Sequence, residues 1–98
     1  MSESAFETLA DSLLAALEDQ IGDDADLQGG ILTVEGEGTW IVNKHAPTRQ
    51  IWLSSPLSGA RHYAFDAESG QWKDTRGGDH LLAVLAAELD RPLNWQAP

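Results

Sequence analysis

The sequence predicts an α+β fold: a two-layer sandwich in which two helices pack on one face of an antiparallel sheet of about five to six strands. Two observations carry this expectation. Apolar residues recur at three- and four-residue steps near both ends of the chain, and between those stretches the period drops to two in short runs separated by turn residues. At 98 residues, 42% of them apolar, the chain can bury one core and no more, so the expected organisation is a single domain over residues 1–98.

The first helix is expected over residues 4–21, where Phe6, Leu9, Leu13, Leu17 and Ile21 form the apolar stripe. Ser4 followed by Glu7 fits a capping box, and Gly22 fits the stop. At about 100° per residue, Glu7, Asp11 and Glu18, with Glu3 if the helix reaches it, share a stripe beside the apolar face, interrupted by Leu14. Residues 22–30, GDDADLQGG, read as an acidic turn-rich connector. Strands follow near 31–35, 38–44, 49–54, 60–66 and 71–74, joined by EGEG, HAPT, SPLSG and AESG. The second helix is expected from about Asp79, as N-cap, to Leu89, with Leu81, Leu82, Leu85 and Leu89 facing the core. A tail containing Trp95 then leaves it.

Composition excludes several chemistries. Cysteine is absent, which removes disulfides, thiolate metal sites and Cys nucleophiles, so any metal is held by oxygen or imidazole. The opening MSESAFETLADS has neither the basic flank and apolar core of a signal peptide nor the character of a transit peptide. No run approaches the roughly 18 apolar residues of a membrane span. A cytoplasmic protein is therefore expected. Sixteen acids against six bases give a net charge of −10, which disfavours nucleic acid and anionic membranes and favours cations or a basic protein surface. Ten of the acids precede residue 38, and the first Lys or Arg is Lys44.

Strand alternation assigns sides. Ile51 and Leu53 pair as core, which turns Gln50 and Trp52 outward; Trp40 and Val42 pair as core, which turns Thr39, Ile41 and Asn43 outward. An outward Trp is the residue type most enriched at binding hot spots; the alternatives are that a neighbouring strand or the tail covers it, or that the register is shifted by one. Asn43 also reads as ordinary turn chemistry. Trp40, Trp72 and Trp95 read as packing residues. His45, His62 and His80 sit in or near turns in no triad order and read as free surface side chains. The glycines form neither a phosphate loop nor a dinucleotide fingerprint, so no organic cofactor is expected.

Two cation hypotheses remain. Asp24, Asp26, Gln28, Gly29 and Glu35 occupy calcium-loop positions, but the β-rich sequence after Gly30 and the EGEG turn oppose an EF-hand. The acidic first helix is the more general candidate. Charge on a helix is commonly just a solvated face, yet here no Lys or Arg stands at i+4 to compensate, which leaves like charges repelling.

The stretch GTWIVNKHAPTRQIWLSSPLSG, residues 38–59, closely resembles the frataxin family pattern, in which a G-T-aromatic-aliphatic-aliphatic-N-K strand precedes P-x-x-Q-I-W-L-S-S-P-x-S-G. The resemblance extends over residues 4–90, through the acidic LAD-containing helix, GGILTVE, the Trp72 strand and LLAVLAAELD, and is that of a bacterial-type frataxin. It implies the fold already read from periodicity. It further implies iron binding (Fe²⁺ or Fe³⁺, held weakly) coupled to iron-sulfur cluster assembly, by a regulator of the cysteine desulfurase and its scaffold protein rather than an enzyme. The family's acidic iron ridge matches Glu7, Asp11, Glu18, Asp19, Asp23 and Asp24 here, with Asp26 and Glu35 at its margin. Its partner-binding sheet surface matches Asn43, Gln50 and Trp52. A monomer is expected, one that iron can drive into oligomers. The alternatives are an acidic interaction module whose iron binding is incidental, and a ferroxidase that stores iron. Departures from the pattern are a short acidic connector, His45 in place of a common glutamine, and a short tail after Asp90 that would leave more of the helix groove uncovered.

Overall fold

A computed structural model describes all residues, Met1–Pro98. Helix α1 spans Glu3–Ile21 and buries Phe6, Ala10, Leu13, Leu14, Leu17 and Ile21. Its cap is Ser2 rather than Ser4: the Ser2 hydroxyl accepts from the Ala5 amide at 3.0 Å, which starts the helix early and leaves Ser4 inside its first turn. At the other end Arg91, reaching from beyond the second helix, donates to the Ile21 carbonyl at 2.9 Å. A cation there complements the negative end of the helix dipole.

Six strands follow: β1 (Ala25–Gln28), β2 (Ile31–Glu35), β3 (Thr39–His45), β4 (Gln50–Ser55), β5 (Gly59–Asp66) and β6 (Gln71–Asp74). They form one antiparallel meander in sequence order, β1-β2-β3-β4-β5-β6. The sheet therefore has six strands, because the segment expected as a connector at 22–30 contains β1. Gly29 and Gly30 both have positive φ, 58° and 80°, and close a two-residue hairpin with Gln28 opposite Ile31. The β2–β3 turn depends on another glycine: a Cβ on Gly38 would lie 2.7 Å from the Pro56 ring. The two hairpin ends approach so closely that no side chain fits between them.

Helix α2, Leu81–Leu89, starts from His80 without a side-chain cap. Asp79 is not the N-cap, because its carbonyl accepts from the Asp74 amide at 2.7 Å and its carboxylate lies 3.5 Å from Arg61. Both helices lie on the face of the sheet that carries Leu32, Val34, Trp40, Val42, Ile51, Leu53, Tyr63 and Trp72, all buried. Trp72 is the centre of an aromatic cluster, with Phe6, Phe65 and Trp95 at centroid distances of 6.0, 5.5 and 6.4 Å.

The short tail does cover this cluster. Leu93 and Trp95 are buried, the Trp95 indole donates to Ser12 Oγ at 3.1 Å, and Gln20 exchanges hydrogen bonds with the backbone of Asn94. A Trp95→Ala substitution should cost about 3 kcal/mol, in the range of buried aromatic truncations. Urea unfolding monitored by circular dichroism measures the loss.

Candidate functional site

Two surfaces flank the core: an acidic edge along α1 and β1, and the open face of the sheet. On the acidic edge, Lys44 lies on the helix side of β3, in phase with buried Trp40 and Val42. Its ammonium bonds the Glu7 carboxylate and, at 2.8 Å, that of Asp11. Arg49 Nη2 lies 3.8 Å from Glu3. The expectation of uncompensated repulsion along α1 is thus corrected for these acids: the compensating bases come from the sheet, not from i+4 on the helix.

Hydrogen bonds to Asp11 and then Glu7, which outweigh partial burial, hold the Lys44 pKa above its usual value. A raised Lys pKa contributes stability that is complete below the unfolded value and is lost only as pH rises through the folded one. The tether is therefore intact at neutral pH. Glu18 is engaged differently, its carboxylate accepting from the Leu27 amide at 3.1 Å on the outer side of edge strand β1.

Asp19, Asp23 and Asp24 are exposed and enter no ion pair. They follow one another around the last turn of α1 and the short 3-10 turn at Gly22–Asp24. Asp26 and Glu35 face the open side of the sheet, each accepting from a neighbour, Gln28 and Thr39. The calcium-loop reading fails, because the pattern residues are spread over a turn and a β-hairpin. No three carboxylate or imidazole groups converge into a metal cage anywhere in the chain. The donor set of α1 and the turn after it is all-oxygen and open to water, which suits a hard cation held loosely and exchanged readily.

The open face carries Ile31 and Ile41, both exposed, beside half-buried Asn43, Gln50 and Trp52. Register places Ile31, Asn43, Trp52 and His62 in one row across β2, β3, β4 and β5. Alternation thus turns Asn43, Gln50 and Trp52 outward as expected, but Trp52 is not freely displayed. The His45 ring stacks on one face of the indole at 3.6 Å and 12°, and the His62 ring on the other at 4.3 Å and 10°. The indole N–H donates to Gln50 Oε1 at 2.8 Å.

His45 and His62 are consequently not free surface side chains. Their positions across and diagonal to Trp52 follow from the strand register, which the sequence does not state. His80 starts α2 and bridges to Lys73 of β6.

One residue escaped sequence reasoning altogether. A groove of about 580 Å³ opens between the C-terminal ends of the two helices and the β2–β3 and β4–β5 turns. In it Glu88 accepts from Ser55 Oγ at 2.6 Å and from the Trp40 indole at 2.9 Å. Its only signal in the sequence is a lone acid in the apolar run LLAVLAAEL.

Burial works to raise the Glu88 pKa, but the hydrogen bonds from Ser55 and Trp40 oppose it and the net value lies below that of an ordinary Glu. A depressed carboxyl pKa contributes stability above the unfolded value that disappears as pH falls through the folded one. Glu88→Gln should therefore lower stability at pH 7 by about 1 kcal/mol, the modest end for bonds to a partly solvated charge. The difference should vanish in acid below the folded pKa, as read from urea midpoints across a pH series.

Residues 1–94 match a family model described as Frataxin-like domain. A relative in Schizosaccharomyces pombe, "Frataxin homolog, mitochondrial", is 37% identical over 95 residues, covering 93% of this chain. The chain spans 60% of that relative's length. Among solved structures, frataxin from Psychromonas ingrahamii superposes with a TM-score of 0.79 at 31% identity, covering 96% of this chain and 97% of that one. Trimeric frataxin from Saccharomyces cerevisiae, complexed with ferrous iron, superposes with a TM-score of 0.67 at 34% identity, covering 88% and 82%.

Proposed function

The chain belongs to the frataxin-like family, and from that premise we propose that it binds iron weakly on its α1–β1 edge and serves iron-sulfur cluster assembly. In this reading it regulates the cysteine desulfurase and scaffold complex by binding, without turning over a substrate of its own. The observation that carries the iron assignment is the run Asp19, Asp23 and Asp24, exposed and unpaired at the end of α1. A ferrous complex of the yeast relative supports iron as the cargo.

The carboxylates of this edge are not equivalent. Asp19, Asp23 and Asp24 are available as they stand. Glu7 and Asp11 reach a cation only by releasing Lys44, and Glu18 only by releasing the Leu27 amide. Iron thus enters at residues 19–24 and extends along the helix only against these contacts. That competition keeps affinity low and release fast, as a donor or sensor of iron requires.

The open face supplies the docking surface, with Trp52 as its anchor, Asn43 and Gln50 as polar neighbours, and Ile31 and Ile41 as apolar flank. The acidic edge adjoins it through β1 and β2, so it steers toward a basic partner surface as the face docks. Iron and partner that share this edge must be thermodynamically linked.

Three outcomes are expected. In an anaerobic Fe²⁺ titration followed by amide NMR, broadening should begin at Asp19, Asp23 and Asp24; broadening confined to the sheet, with α1 untouched, overturns the iron assignment. Lys44→Gln should tighten iron binding several-fold by freeing Glu7 and Asp11, while lowering stability by about 1–2 kcal/mol; calorimetric titration and urea unfolding read the two effects. Trp52→Ala should leave the fold intact and weaken binding to the desulfurase–scaffold complex by at least tenfold, the scale of a hot-spot residue. Undiminished binding in surface plasmon resonance removes the docking assignment.

A further inference from the structure

We propose that His45 and His62 are positioning residues that clamp the Trp52 indole in its docking orientation. This rests on the open face being the docking surface. The two imidazoles stack on opposite faces of the indole, at 3.6 and 4.3 Å and within 12° of parallel.

The clamp is itself anchored. His62 stands directly opposite Trp52 on β5, and His45 lies on β3, paired with Gln50. His45 Nδ1 contacts Thr48 Oγ1 at 2.8 Å, and the indole N–H is held by Gln50. The indole is thereby opposed on both faces and at its edge: tilting it out of its plane drives a ring face into an imidazole, and swinging the N–H away breaks the bond to Gln50. All four side chains stand on β3, β4 and β5, none of which is an edge strand, so the site is built on strands paired on both sides.

The consequence is a chemically specific docking element. Both π faces and the polar N–H are occupied within the protein, so a partner meets only the rim of the indole as a thin upright blade. The surface that fits it is a narrow apolar slot, not a flat ring, a cation placed over the indole face or an acceptor for the N–H. Holding the blade in advance removes the ordering cost that a freely rotating surface Trp incurs on binding.

The experiment measures the affinity of the desulfurase–scaffold complex for the full chain and for His45→Ala, His62→Ala, Trp52→Ala and the His-Trp double variants. Each His variant should weaken binding about 3- to 10-fold, the ordering cost of one side chain. Trp52 indole NMR relaxation should show increased ring motion. His45→Phe and His62→Phe, which restore a flat ring, should recover both readouts.

In the Trp52→Ala background the His substitutions should cost nothing further, since their effect passes through the indole. Binding that is unchanged in the His variants while Trp52→Ala weakens it overturns the clamp and leaves the docking surface standing. A full additional loss in the Trp52→Ala background, or failure of the Phe variants to recover affinity, also overturns it, by showing that the imidazoles touch the partner themselves. No effect of Trp52→Ala overturns the docking surface and the clamp with it. Should an alanine variant lose the native amide spectrum, His45→Gln and His62→Gln, which keep volume and polarity without an aromatic ring, carry the same comparison.

Discussion

The contact of the Lys44 ammonium with Glu7 and Asp11 governs how the acidic flank is organised. A chain of net charge −10 with ten acids ahead of its first base must bring those acids close together when α1 packs on the sheet. Lys44 meets two of them at the line where helix and sheet join, and Arg49 approaches a third near the helix start. Arg91 closes the far end by capping the last carbonyls of α1. Three bases distributed over β3, the turn before β4 and the tail thus fasten one helix to the rest of the molecule. Asp19, Asp23 and Asp24 are among the acids to which the fold supplies no cation. The proposed metal edge is in this sense the remainder of an electrostatic pairing that stops short.

Most of the fold was legible because it is encoded locally. The 3.6-residue period marks α1 and α2 and the two-residue period marks five of the strands, since a buried face imposes the spacing of its own element. The sixth strand was missed where acidic, turn-prone residues obscure a four-residue strand; Gly29-Gly30, with left-handed backbone at both positions, was the signal that could have revealed it. Helix starts slipped by one or two residues at Ser2 and His80, because capping is decided by which neighbour a hydroxyl or carbonyl reaches.

The candidate site divides the same way. That Asn43, Gln50 and Trp52 point outward follows from alternation within single strands. What covers Trp52, and what neutralises Glu7 and Asp11, depends on which strand lies beside which and in what register. His45, Gln50, Trp52 and His62 lie within 18 positions in sequence but on three strands, and no periodicity announces their stacking. Glu88 illustrates the same limit: an acid in an apolar helix stays unexplained until Ser55 and the Trp40 indole are seen to meet it.

The engagement of Glu18 with the Leu27 amide bears on how this protein can associate with others. An unclosed meander exposes two margins, and unpaired backbone there invites strand addition and aggregation. At the first margin the Glu18 carboxylate occupies the Leu27 amide of a four-residue strand. At the second, β6 is matched by the segment entering α2, through the Lys73–His80 bridge and the Asp74–Asp79 backbone bond. With each border partly occupied from within, extending the sheet by a further strand is disfavoured, and encounters are left chiefly to side-chain surfaces, where identity can be read.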